Sequence, residues 1–188
     1  MAQSWDLNVV SLTGGQSRAD RLQKKENYMS NLSNTLAARL EQGASALATF
    51  AGSLTDAEWS TKLPKDGRTV GVVVHHVASV YPIEIQLAQT LASGKPVTGV
   101  DWDGIHHMNA GHAKEHVAAS QKATLALLEE NSKAAAAAIR ALSEAELQAG
   151  GTNSLYSDAP LTCQFMLEDH AVRHSYHHLA RIRAALKK

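Results

Sequence analysis

"VGVVVHHVASVYPIEIQLAQTLASG", residues 70–94, is the stretch on which the fold turns. A valine run followed by turn residues reads as a buried strand if it is short and as a helix if it is long. Here the apolar pattern continues through "IEIQLAQTLA", well beyond the roughly 4–8 residues of a strand. Helix is therefore the reading. Thr69 supplies an N-cap, Gly94 and Pro96 end the element, and Pro82 is expected to kink it.

Working outward, no other segment reads firmly as strand. "NLSNTLAARLEQGASALATF" places Leu32, Leu36, Leu40, Ala44 and Leu47 at spacings of three and four, the period of a helix face. "TDAE" (55–58) and "SEAE" (143–146) are capping boxes that open short helical turns; the first carries Trp59. A third helical region follows "GVDWDG", with a break near Ser120, and the last helix starts near Thr162. "AGGTNSLYSDAP" (149–160) reads as a loop. Four main helices joined by modest loops predict an all-α four-helix bundle with short extra helical turns. Residues 29–188 form the expected bundle domain. Residues 1–28, polar and aperiodic over "SLTGGQSRADRLQKKEN", read as a flexible N-terminal extension.

The chain has 188 residues, enough for one well-filled core. Lys plus Arg equals Asp plus Glu at 18 each, so no global field favours nucleic acid or an anionic membrane surface. The single cysteine, Cys163, excludes an internal disulfide framework and a multi-cysteine metal cluster. A reducing, cytoplasmic setting fits. No continuous apolar run of membrane-spanning length is evident, and the N-terminal residues lack a secretory pattern. The compositional oddity is ten histidines.

Four of them crowd "HAVRHSYHHLARIR", residues 170–183. Phe165, Val172, Leu179 and Leu186 recur every seven residues and define the expected core seam. At about 100° per residue, His178 and His174 fall on one flank of that seam, about 100° and 140° from Leu179. His177 and His170 fall on the outer face, about 160° and 180° away. In residues 70–94, His76 lies on the core flank and His75 about 160° from Val77, facing water. If those two helices run antiparallel, His76, His174 and His178 share one depth. Histidines four apart on a helix can hold one metal ion between them. Three neutral imidazoles leave coordination positions open for water or substrate. Affinity for the ion is expected to fall below a pH of about 6.5, where free imidazole protonates. The plainer alternative is a set of solvated surface histidines.

"VGVVVHHVASV" and "HAVRHSYHHLARIR" together resemble the DinB/YfiT-like superfamily of small helical metalloproteins. The pattern there is a histidine early in the second helix and an H-x-x-x-H in the last. Matched residue by residue, the resemblance marks His76, His174 and His178 as metal ligands. "GIHHMNAGHA" also looks like a branch of the superfamily. The resemblance covers about residues 30–187 and departs at Ser79, where an acidic residue often stands. It implies an up-down-down-up bundle, often a homodimer, holding a divalent metal ion such as zinc or nickel. It further implies chemistry on a small-molecule substrate. Thiol-dependent transfer with a low-molecular-weight thiol, the form the resemblance favours, and metal-dependent hydrolysis are the two forms. A non-catalytic bundle with a structural metal or a bound ligand is the alternative.

Other residues are weighed with these. Asn109, His112 and His116 sit near the start of the third helical region and read either as a solvated helix start or as the mouth of the pocket. Glu84 and Glu168 fall about 20° from the centres of their apolar stripes. They are expected to meet across the core, below the metal, as a polar floor. A buried carboxylate needs a partner, and Arg39 or Arg140 could supply one. Trp5, Trp59 and Trp102 are read as packing or interface residues. Cys163 is expected far from the histidines and not as a nucleophile.

Overall fold

The computed structural model describes residues 17–188 and, over 21–31, the backbone alone. Trp5 and the first sixteen positions of the expected extension lie outside the described residues. In order, the elements are α1 (Arg18–Gly52), α2 (Asp56–Trp59), α3 (Val70–Ala92), α4 (Trp102–Glu115), α5 (Gln121–Arg140) and α6 (Glu144–Gln148). A hairpin of β1 (Gly150–Asn153) and β2 (Ala159–Thr162) follows. The last helix comprises α7 (Cys163–Met166), a π-helical segment (Leu167–Val172) and α8 (Arg173–Leu186).

Long-range contacts set the helix directions. Gln121 at the start of α5 reaches Ala51 at the end of α1, and Arg140 at its end reaches Glu41, so α1 and α5 are antiparallel. Arg39 pairs with Glu168 and Phe50 with Arg183, so α1 and the last helix are parallel. Glu84 meets His174 and His76 meets His178, so α3 opposes α8. The result is the up-down-down-up four-helix bundle of α1, α3, α5 and α7–α8, with α4 laid outside it.

The valine run is helix because α3 is buried on nearly every side; Val70, Val73, Val74, Val77 and Tyr81 have no exposed surface. A helix surrounded by core loses the amphipathic stripe and reads as continuously apolar. By length and composition α3 could cross a membrane, yet 67% of its most apolar window is buried inside the bundle. Pro82 lies within α3 and has no N–H for the carbonyl of Ala78, four residues earlier. Asn131 on α5 fills that gap: its Nδ2 donates to the Ala78 oxygen at 2.8 Å. At the head of α3, Gly71 lets the helix pass against Trp59, where a Cβ would lie 2.4 Å from the indole Nε1. That nitrogen donates to the carbonyl of Ala119 at 2.9 Å.

The boxes at Thr55 and Ser143 form as expected, and Ser120 caps α5. Three expectations are corrected. First, residues 18–28, assigned to the extension, have helical backbone continuous with α1. Ser17 and Asp20 close a capping box there, with bonds of 3.0 and 3.1 Å. The following residues lack Gly and Pro, so propensity carries a helix where no apolar period announces one. Second, the loop over 149–160 contains the hairpin. Gly150 permits its close pairing, since a Cβ would lie 2.4 Å from the Leu161 oxygen. Third, Phe165 is exposed while Met166 and Leu167 are buried. The wider turn of the π segment breaks the seven-residue seam that assumed one helical pitch throughout.

Candidate metal centre

His75 and His76 are consecutive on α3, so their side chains diverge by about 100°. His76 turns toward α8 and His75 toward α4. One nitrogen from each of His76, His174 and His178 lies within 4.8 Å of the others. His76 Nε2 and His174 Nε2 face each other at 3.3 Å. His174 and His178 stack one turn apart on α8, ring centroids 4.8 Å apart. On α8 the buried residues are Ser175, His178, Leu179 and Ile182. The centre of that stripe therefore lies on the histidine side of Leu179, which brings His174 closer to the core than the seam implied.

Burial, with the His174 ring and other charges adding to it, pushes His76 down to about 3. Burial lowers His178 as well, again reinforced by its histidine neighbours. Both rings are thereby held neutral, with lone pairs free. His174 has its Nδ1 against a carboxylate oxygen of Glu84, which leaves Nε2 as the nitrogen turned to the other rings. Glu84 is 5% exposed, and its Oε2 has no hydrogen-bond partner. The expected pairing of Glu84 with Glu168 does not form. Glu168 lies on the opposite side of the last helix, half-exposed, bonded to Arg39 at 3.1 Å. The π segment, which begins at Leu167, rotates it off the assumed stripe. Arg140 serves Glu41 instead.

The three rings form the base of a cavity of about 450 Å³. Val80, Ile83 and Leu87 of α3 make one wall, and Trp102, Ile105 and Met108 of α4 the other. Trp102, read as a packing or interface residue, is 52% exposed and lines this wall. Asn109 lines the cavity too, with a buried and unpartnered Oδ1. His177 is exposed, as expected, yet it too lines the cavity, its ring centroid 5.1 Å from that of His178. His170 is not on a wet outer face: it is half-buried in the cavity lining, 2.8 Å from the Tyr156 hydroxyl, which donates to Asp169. The π segment again accounts for the shift.

Two further groups escaped the sequence. Arg68, just before the Thr69 cap of α3, lines the cavity and is fixed by Asp66 at 2.6 Å. Arg68 and Arg181 hold the Asp66 carboxyl down at about 2 against the opposing effect of burial. The only available signal was the Asp-x-Arg spacing, common in turns. His75, expected to face water, is half-buried against His112 and His116 under α4. Cys163 is buried at the start of α7, where burial pushes its thiol up to about 11, and it is not among the cavity-lining residues.

No curated protein matches the chain. Its fold is similar to that of YfiT from Bacillus subtilis, described as a probable metal-dependent hydrolase with an unusual four-helix bundle topology. The TM-score is 0.59 at 21% identity, over 93% of this chain and 90% of that one. The family model of the DinB superfamily matches residues 39–182, a span that includes His76, His174, the π segment and the whole of the cavity's α3 and α4 walls. With that match over most of its length, the chain belongs to the DinB superfamily.

Proposed function

We propose that this protein is a metal-dependent enzyme acting on a small molecule, with His76, His174 and His178 holding one divalent ion, zinc or nickel. The observation that carries the reading is the 3.3 Å between His76 Nε2 and His174 Nε2. Two imidazoles bound at about 2.0–2.1 Å and a tetrahedral angle stand about that far apart. Glu84 orients His174 and makes its Nε2 a stronger donor, the usual role of a carboxylate behind a ligating histidine. Among the described residues the group has three members, and its open side faces the cavity. An open position suits catalysis better than a purely structural ion.

When bound, the ion supplies Lewis-acid activation of water or of a thiol. The chain's own residues do the rest. The apolar walls exclude water around the substrate, and Arg68 and Asn109 offer polar contacts at its edge. Hydrolysis is the favoured form, in keeping with the description of YfiT. In the thiol form the nucleophile would come from a second substrate, since Cys163 is buried elsewhere. The test is elemental analysis of protein purified without a metal-affinity tag, then assays on ester and amide panels with and without added thiols. Loss of one equivalent of metal and of turnover in His174→Ala is expected. The full wild-type metal content in His174→Ala and His178→Ala, or an equivalent lost in His177→Ala, would overturn the assignment.

A further inference from the structure

We propose that His75, His112 and His116 form a second, separate transition-metal site that fastens α4 over the cavity. None of the α4 residues is buried, yet Trp102, Ile105 and Met108 of this helix make a cavity wall. A helix that buries so little apolar surface draws little stability from packing, so a specific fastening has to hold it. The histidines supply the contact. His75 Nδ1 lies 2.9 Å from His112 Nε2, and the His75 and His116 rings stack with centroids 3.9 Å apart. Ser79 Oγ is 3.3 Å from the same His112 nitrogen.

One nitrogen from each ring falls within 4.8 Å of the others, the same convergence as in the first group. His112 and His116 stand four apart, the spacing that puts two imidazoles on one ion. All three are half-buried, so an ion enters directly from solvent. Three imidazoles suit zinc, nickel or copper rather than calcium or magnesium. An ion replaces the His75–His112 hydrogen bond by moving the two nitrogens apart by about half an ångström. The groups share no residue, although the His76 and His112 rings are only 5.7 Å apart. The second site therefore stands whether or not the first holds an ion. Its consequence is control of access: with the ion bound, α4 is tied to α3 and the cavity is closed on that side.

The test titrates Zn²⁺ into metal-free, untagged protein, with hydrogen exchange read over residues 102–115. Wild type should take up two equivalents, one of which protects the α4 amides. His112→Ala and His116→Ala should each lose one equivalent and the α4 protection. His178→Ala should lose one equivalent and keep that protection, and His106→Ala, at an exposed α4 position outside both groups, should keep both. Circular dichroism is the check that each variant is folded, and the substitutions at His106, His112 and His116 lie outside the main core. The proposal is overturned if His112→Ala and His116→Ala bind as much zinc as wild type, or if zinc protects α4 equally without them. A His178→Ala protein that still binds two equivalents would instead count against the first site alone.

Discussion

Glu84 holds one carboxylate oxygen on His174 while Oε2 stays buried without a partner. A Glu84→Gln substitution keeps the volume and removes the charge. It should lower zinc or nickel affinity about 10–100-fold with the helical content unchanged; equal dissociation constants by calorimetry would remove the orienting role. The neighbouring rings carry a pH dependence. In metal-free protein, His76 is pushed down to about 3 and His178 is lowered too, both chiefly by burial. Below a pH of about 6.5 the unfolded chain binds protons that the folded chain does not. Stability is therefore full above that pH and declines as pH falls, by at most about 1.4 kcal/mol per unit for each ring. For His76 the decline continues down to about 3. A His178→Gln variant should show a shallower fall in urea midpoint between neutral and acid pH; parallel curves would contradict this. Proton competition for an ion at these two rings also begins below the ordinary imidazole range, later than the sequence alone implied.

At the scale of elements, α3 and the last helix show two different departures from a regular helix. In α3, Asn131 replaces the donor that Pro82 lacks. Asn131→Ala should cost about 1–3 kcal/mol by leaving the Ala78 carbonyl unsatisfied, readable as a lower urea midpoint. Gly71→Ala should cost about 1–3 kcal/mol by driving a methyl into Trp59. A Gly71→Ala protein as stable as wild type would mean that the indole moves aside freely. The last helix departs through the π segment, a feature often found at functional sites. It puts His170 into the cavity lining and Glu168 onto the outer surface. No composition signal in "LEDHAV" marks it, since the segment is held by what packs around it.

At the scale of the whole molecule, metal binding and folding are coupled. A ligand at about a thousand times its dissociation constant stabilises the folded state by about 4 kcal/mol. Chelation should therefore lower the melting temperature by on the order of 10 °C. The fall should be much smaller in His178→Ala; identical shifts would place the stabilising ion elsewhere. Local chemistry was enough to read the four long helices, the capping boxes and the three converging histidines. Those depend on apolar spacing, on side chains bonding a few residues away, and on the fixed angle between positions on one helix. Packing alone decided the rest. The wider π turn in the last helix sets which of His170, His174 and Glu168 face inward. The placement of α4 turns His75 from a wet residue into part of a cluster, and the Glu84–His174 bond joins residues 90 positions apart. These are relations between elements, and a periodicity counted along one element carries no information about what stands opposite it.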